Sequence, residues 1–259
     1  MTGPRASAGS PLAPVAALVG AAVIFVVAWQ AVVVAFGLQV FVLPPPADVA
    51  RRFVTAWTDG TIEPHVAATL VEIALGFAVG AGAGLAVGWL LARSRVAGLV
   101  LSPYLVAAQS TPVLALAPVL TVWFGTGLLP KVLICALIVF FPVAVSTMVG
   151  FRSVDRRLLE LAASLRANGR QRFATIELPA ALPAVLGGIR VGVTLAVVGA
   201  IVAEWAGPDK GLGALILIAQ RSLFDVPLMF ATLATIALLG IVLYGAVVLV
   251  ERQLVGERG

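Results

Sequence analysis

Long stretches without a charged residue constrain the fold of this chain more than any other feature. Four of them have the length of a membrane crossing: residues 12–36, 73–92, 132–151 and 226–250. A bilayer core about 30 Å thick takes about 20 helical residues to cross. With 61% hydrophobic and 11% charged residues, the composition excludes a water-soluble fold. The sequence predicts an all-α integral membrane protein.

Two further stretches complete a predicted set of six transmembrane helices. Residues 96–130 are also free of charge, but they are too many for one straight crossing. Their prolines, Pro103, Pro112 and Pro118, predict a lead-in followed by a broken helix. Residues 182–205 make the last crossing if Arg190 faces protein or reaches the membrane surface.

The basic residues predict the orientation of the chain. Eleven fall on the side of the termini: Arg5, Arg93, Arg95, Arg152, Arg156, Arg157, Arg166, Arg170, Arg172, Arg252 and Arg258. Five fall on the other side: Arg51, Arg52, Lys131, Lys210 and Arg221. By the positive-inside rule, both termini are cytoplasmic. We expect a disordered tail at 1–11, a single membrane domain at 12–251 and a cytoplasmic tail at 252–259. Because the basic residues sort by side of the membrane, they argue against nucleic-acid binding.

No residue pattern in the sequence is typical of catalysis, metal binding or nucleotide binding. His65 is the only histidine and Cys135 the only cysteine, so neither a metal site nor a disulfide framework is expected. The phosphate-binding pattern G-x-x-x-x-G-K-[ST] does not occur. We therefore expect no enzyme activity and no bound cofactor, and any energy must come from another subunit.

A short amphipathic segment, 47–58, follows the first crossing on the external side. Asp48 is its expected N-cap, after three prolines. Val49, Phe53 and Trp57 recur every four residues and form one apolar stripe. The stripe fits an interfacial anchor or a contact for an external partner.

Glycines recur every four residues in the second crossing, at Gly76, Gly80, Gly84 and Gly88. Such a ridge of small residues lets a second helix approach closely. It predicts a tightly packed bundle and says little about function.

The loop 152–181 is the one long polar segment, and it predicts a helical hairpin. Val154, Leu158, Leu161 and Leu165 form an amphipathic stripe. Asp155 suits the first turn, Arg156 and Arg157 can pair with Glu160, and Asn168-Gly169 is expected to stop the helix. The hairpin is either an anchor in the lipid headgroups or a docking element for a soluble partner.

The order of residues in this loop resembles the EAA loop of ABC importer permeases. Glu160-x-Ala162-Ala163 is followed by Ile176-Glu177-Leu178-Pro179 at the entry to the next crossing. The resemblance extends from about Pro44 to Glu251 and is strongest to permeases for sulfonates, taurine, nitrate and vitamin precursors. It departs from the family at Arg166, where a glycine is usual, and at Leu161, where an alanine is usual.

The resemblance implies a type I ABC importer permease that works as a homodimer. Two cytoplasmic ATPase subunits would use ATP and Mg²⁺, and an external solute-binding protein would deliver the solute. The family's ATPase-docking positions correspond to Glu160, Leu161, Ala162, Ala163, Leu165, Arg166 and Gly169. Within the group, Glu72 and the run from Gln109 to Pro112 favour a thiamin-pyrimidine precursor or riboflavin as cargo.

Polar residues inside the crossings are candidates for the transport path. We select Gln109, Ser110, Thr111 and Glu72 as path residues and Glu204 as a gate or interface residue. The alternative for these groups is a structural one, with carboxylates paired to other helices and hydroxyls bonded to backbone carbonyls. The alternative function is an ATP-independent secondary transporter or channel.

Overall fold

The computed structural model describes residues 12–109, 112–207 and 210–255, and within them every regular element is helical. The elements in chain order are α1 Leu12–Ala35, α2 Pro46–Thr58, α3 Glu63–Arg93, α4 Arg95–Gln109, α5 Val113–Phe124, α6 Leu128–Arg152, α7 Arg156–Ser164, α8 Gly169–Arg172, a π-helical turn Phe173–Glu177, α9 Leu178–Trp205, α10 Leu212–Arg221 and α11 Val226–Val255. The prediction of an all-α membrane protein is confirmed.

Five helices among the described residues are long and apolar enough to cross a membrane: α1, α3, α6, α9 and α11. They correspond to the five predicted crossings 12–36, 73–92, 132–151, 182–205 and 226–250. α1 ends one residue short of its predicted bound, and the other four helices extend beyond theirs. α11 continues to Val255, four residues into the predicted tail. The predicted tail 1–11 lies outside the described residues.

The stretch 96–130 is broken, as its prolines predicted. α4 has 15 residues and α5 has 12, and Pro112 lies between them as the N-cap of α5. At 1.5 Å per residue these helices are about 22 and 18 Å long, so neither crosses alone. Pro103 and Pro118 lie inside helices. The sixth crossing stays a prediction.

α6 lies at the centre of the bundle, between α3 and α9. The glycine ridge of α3 lets the backbones touch: a Cβ on Gly80 would collide with the Ala136 carbonyl, and one on Gly84 would lie 2.8 Å from the Phe140 carbonyl oxygen. The main core forms around this contact and contains Ile73, Ala81, Cys135, Val139, Val143, Ala196, Val197 and Ala200. The predicted close approach of a second helix is confirmed, and it occurs within the chain.

Arg190 faces protein, as its place in a crossing required. Its guanidinium makes a two-point ion pair with the carboxylate of Glu251 on α11. The pair links α9 to α11 and neutralises a charge that hydrocarbon would not tolerate.

The end of the bundle opposite the hairpin, called the distal end below, is covered by α2 and α10. α2 begins at Pro46, so the prediction of Asp48 as N-cap is wrong, because proline with its fixed φ already starts the helix and Asp48 lies in the first turn. Val49 and Ala56 are buried, while Trp57 is 42% exposed. A second core joins α2, α10 and α11 through Ala56, Ile62, Leu212, Leu215, Ala219 and Leu228.

An ion pair holds α2 to the start of α11. Arg52 Nε lies 2.7 Å from Asp225 Oδ2, and Arg52 Nη1 lies 3.5 Å from Asp59 Oδ2. Hydrogen bonds from the side chain and backbone of Thr61 hold the pKa of Asp59 below its usual value. One arginine therefore bridges two carboxylates at the distal end.

Candidate functional site: the polar hairpin and the distal polar cluster

The hairpin is two short helical arms at the end of the bundle where α3 and α6 finish. Its first arm is α7, which Asp155 caps by accepting a hydrogen bond of 2.8 Å from the Arg157 N–H. Arg156 Nε lies 3.1 Å from Glu160 Oε1, so one of the two predicted pairings is present. The second arm is α8 with its π-helical turn, which runs directly into α9.

The predicted helix stop at Asn168-Gly169 is wrong, because the chain reverses earlier, at Arg166. α7 ends at Ser164, and Arg166 has a φ of 53°, the left-handed conformation. The Ala167 N–H donates to the Ala162 carbonyl and the Arg166 N–H to the Ala163 carbonyl, which is the Schellman pattern. Arg166 thus occupies the position that glycine favours, the same position where the family pattern has one.

Asn168 begins the second arm instead of ending the first. Its side chain accepts from the Gln171 N–H at 2.8 Å, and the Gln171 side chain accepts from the Asn168 N–H at 2.9 Å. This reciprocal pair is a capping box, and its signature, Asn followed three residues later by Gln, was readable in the sequence. Gly169 is the first residue of α8.

Most of the predicted docking residues share the exposed surface of the hairpin. The exposed ones are Glu160, Leu161, Ala163, Leu165, Arg166 and Gly169. Leu158, Leu161 and Leu165 of the predicted stripe are 45%, 56% and 73% exposed, so their apolar surface lies open. Ala162 is only 3% exposed and faces the protein's own interior.

The distal end holds a buried cluster of charged and polar side chains from three spanning helices. Glu72 of α3, Lys131 of α6 and Glu204 of α9 are 2%, 7% and 0% exposed. Lys131 Nζ donates to Glu72 Oε1 at 2.8 Å and to the Lys210 carbonyl at 2.9 Å. Together with Thr69 they form what we call the distal polar cluster.

Glu204 uses one carboxylate oxygen to bind α3 and the other to bind the first turn of α10. It accepts from the Thr69 hydroxyl at 2.5 Å and from the Gly213 N–H at 2.5 Å. Thr69 in turn accepts from the Leu212 N–H at 2.9 Å, and His65 Nδ1 lies 2.8 Å from the Gly211 carbonyl oxygen. The cluster therefore fixes the start of α10 to α3 and α9.

Sequence reasoning counted Lys131 among the basic residues of the external side and did not predict that it is buried. The residue lies four positions into α6 and is buried, because Glu72 and the Lys210 carbonyl supply partners for its ammonium group. The signal was its place directly before a charge-free run, since a lysine there needs a partner inside the bundle.

The candidate path residues separate in the structure. Glu72 forms an ion pair with Lys131, which is the structural alternative to a role in the path. It also lines a cavity of about 320 Å³ together with Lys131 and Lys210. Gln109 is the last residue of α4. Ser110 and Thr111 lie outside the described residues, so their role stays a prediction.

Comparison with known proteins identifies the family. Residues 80–256 match the family described as "Binding-protein-dependent transport system inner membrane component". The riboflavin transport system permease protein RibX of Chloroflexus aurantiacus is 44% identical over 90% of this chain and 86% of its own length. The formylaminopyrimidine transport permease protein ThiX of Halalkalibacterium halodurans is 35% identical, over 85% of this chain and 87% of its own length. The putative aliphatic sulfonates transport permease protein SsuC of Bacillus subtilis is 34% identical, over 91% of this chain and 85% of its own length.

These matches confirm the resemblance that the EAA-type loop indicated. The chain belongs to the binding-protein-dependent inner membrane components, as a multi-pass ABC importer permease of the bacterial inner membrane.

Proposed function

We propose that this permease forms the membrane path of an ATP-driven importer and that its hairpin docks a separate ABC ATPase on the cytoplasmic side. The observation that carries the proposal is the open apolar surface of α7, formed by Leu158, Leu161 and Leu165. Water disfavours such a surface, and a soluble partner that covers it gains the free energy of burying it. Glu160 and Arg166 lie exposed on the same arm and supply charged contacts around it.

The other expected partners follow from the family and are part of the same proposal. A second copy of the permease completes the path, and a solute-binding protein delivers solute at the distal end. The family description, which names binding-protein-dependent transport, supports the second of these partners. Cross-linking of the purified permease tests the homodimer by the mass of its product.

The cargo is a small heterocyclic solute of the riboflavin or thiamin-pyrimidine class. The 44% identity to a riboflavin permease, against 34% to a sulfonate permease and 29% to the taurine permease TauC of Escherichia coli, supports this class. Aliphatic sulfonates, taurine and nitrate are the remaining classes that the resemblance allows.

Transport by the reconstituted complex tests the proposal. The permease is placed in proteoliposomes with its co-expressed ATPase and binding protein, and uptake of radiolabelled riboflavin, formylaminopyrimidine and taurine is measured with and without ATP. We expect ATP-dependent uptake of riboflavin or the pyrimidine, and no competition by taurine. Selective uptake of taurine would overturn the cargo class, and equal uptake without ATP would overturn the ATP-driven mechanism.

One observation favours the alternative of an ATP-independent secondary transporter. Such proteins carry charge pairs inside the membrane, and Glu72 with Lys131 is one. Lys131 also donates to the Lys210 carbonyl, however, so the pair holds the distal end together. The measurement without ATP separates the two mechanisms.

A further inference from the structure

The hairpin contacts the membrane-spanning bundle at a further place besides its chain connections to α6 and α9. Glu177, the last residue of the π-helical turn, is 7% exposed. Its Oε2 lies 2.8 Å from Arg93 Nη2 at the end of α3, and its Oε1 lies 2.8 Å from Arg172 Nε on α8. One buried carboxylate therefore joins α3 to the second arm of the hairpin.

Phe173 makes a parallel connection through aromatic rings. It stacks on Phe151 near the end of α6, with ring centroids 5.9 Å apart and planes inclined by 7°. Its other neighbour is Trp89 of α3, edge to face at 6.4 Å. The Arg93 guanidinium lies 5.2 Å from the centroid of the same Trp89 ring. We call Glu177, Phe173, Arg93 and Arg172 the clamp.

Two of the clamp residues, Phe173 and Glu177, are the first and last residues of the π-helical turn. Residues 173–177 form a π-helical turn, in which the Leu178 N–H donates to the Phe173 carbonyl, five residues earlier. Pro179 has no N–H, so an α-helical bond to the Thr175 carbonyl cannot form there. Such wide turns are rare and are frequently found at functional sites.

The ends of α3 and α6 are themselves connected next to the clamp. Arg152 Nη2 donates to the Leu91 carbonyl at 3.0 Å. Movement passed to Arg93 and Phe151 therefore reaches two spanning helices that already pack along their length.

From these contacts we propose that Glu177 is a positioning residue that transmits movement of the hairpin to α3 and, through Phe173, to α6. The inference rests on the proposed function, in which an ATPase moves the hairpin. Without the clamp, the chain connections into α6 and α9 would carry that movement, and α3, which has no chain connection to the hairpin, would follow late or incompletely. The carboxylate is essential because two guanidinium groups face it, and they repel each other once its charge is removed.

The test separates docking from transmission. Glu177→Gln is reconstituted with the ATPase and binding protein, and three quantities are measured: ATPase co-purification, ATP hydrolysis, and solute molecules taken up per ATP hydrolysed. We expect wild-type co-purification and continued hydrolysis, with uptake per ATP reduced about tenfold, a size typical of coupling between sites. A residue that only supports folding would lower all three together.

The matched control is Glu63→Gln, which makes the same change at an exposed position at the other end of α3. It should leave all three quantities unchanged. Arg93→Met breaks the same ion pair from the α3 side, at a side chain that is 36% exposed, and carries the test if Glu177→Gln does not accumulate. The double variant should lose no more coupling than Glu177→Gln alone, because that variant already lacks the ion pair with Arg93.

The possible results distinguish the inference from the function on which it rests. If the wild-type complex couples ATP to uptake and Glu177→Gln and Arg93→Met couple as well as it does, the clamp is wrong and the function stands. If the wild-type permease does not bind the ATPase or transports without ATP, the proposed function fails and the clamp fails with it.

Discussion

The two ends of the molecule treat their charged residues differently. The distal end buries three of them almost completely, namely Glu72, Lys131 and Glu204, and each of these contacts a residue of another helix or the segment before α10. At the hairpin end, the side chains of the pair Arg156–Glu160 are 81% and 67% exposed. The distal residues also bind backbone groups at Lys210 and Gly213, next to and within the first turn of α10. The hairpin instead presents three exposed leucines beside its charges. One end directs its charged side chains at other parts of the chain, and the other leaves surface open.

The two arrangements differ in what they contribute to stability. Removing one member of a buried ion pair is strongly destabilising, since the other charge stays buried without compensation. An exposed ion pair contributes little, because water and salt screen it. We therefore expect substitutions at the distal end to change unfolding, and substitutions on the hairpin surface to change binding of the ATPase.

The largest effect is expected for Lys131→Met. The change leaves Glu72 buried without its cation and should lower the free energy of unfolding by about 3–5 kcal/mol. Thermal unfolding of the purified permease in detergent measures it as a lower Tm. The control is Lys210→Met, which removes an exposed side chain but keeps the carbonyl that binds Lys131. Equal losses in the two variants would contradict the distal polar cluster.

The second effect concerns the hairpin and should leave stability unchanged. Leu161→Asp places a charge on the open apolar surface and should weaken ATPase binding by about 2 kcal/mol, roughly 30-fold in Kd, as at a binding hot spot. Titration of the ATPase against the purified permease measures the loss. Ala174→Asp, an exposed position on the second arm, is the control. A fall in Tm with unchanged ATPase binding would show that the leucine surface belongs to the permease's own packing.

Much of the fold was readable from the sequence because the bilayer imposes simple rules. The crossings followed from charge-free runs, and the close packing of α3 on α6 followed from the glycine ridge. The helical nature of α7 followed from its leucine period. Each of these signals is local, since it depends on residues within a few turns of one another.

Long-range pairings were the part that sequence reasoning missed. Lys131 and Glu72 are 59 positions apart, Arg93 and Glu177 are 84 apart, and Arg190 and Glu251 are 61 apart. A charge near the end of an apolar run has the same sequence context whether it lies in water or meets a partner in the bundle. The topology decides which case holds, and no single segment contains that information.

The smallest predicted effect tests the turn of the hairpin, where the rule that glycine takes a left-handed position failed. Arg166 holds a φ of 53°, which costs a residue with a side chain about 1–2 kcal/mol relative to a right-handed conformation. Arg166→Gly removes this strain, but the added freedom of the unfolded chain offsets about 0.5–1 kcal/mol of the gain. We expect a net stabilisation of about 0.5–1 kcal/mol, seen as a higher Tm and slower hydrogen exchange in α7.

The control for this change is Arg170→Gly, an exposed arginine in the second arm whose φ is not positive. Glycine relieves no strain there and should destabilise the protein by about 0.5–1 kcal/mol. The two substitutions remove the same charge a few residues apart, so opposite signs isolate the backbone conformation from electrostatics. If both variants lose stability, the Arg166 side chain contributes more than its conformation costs, and the departure from glycine is then stabilising in this permease.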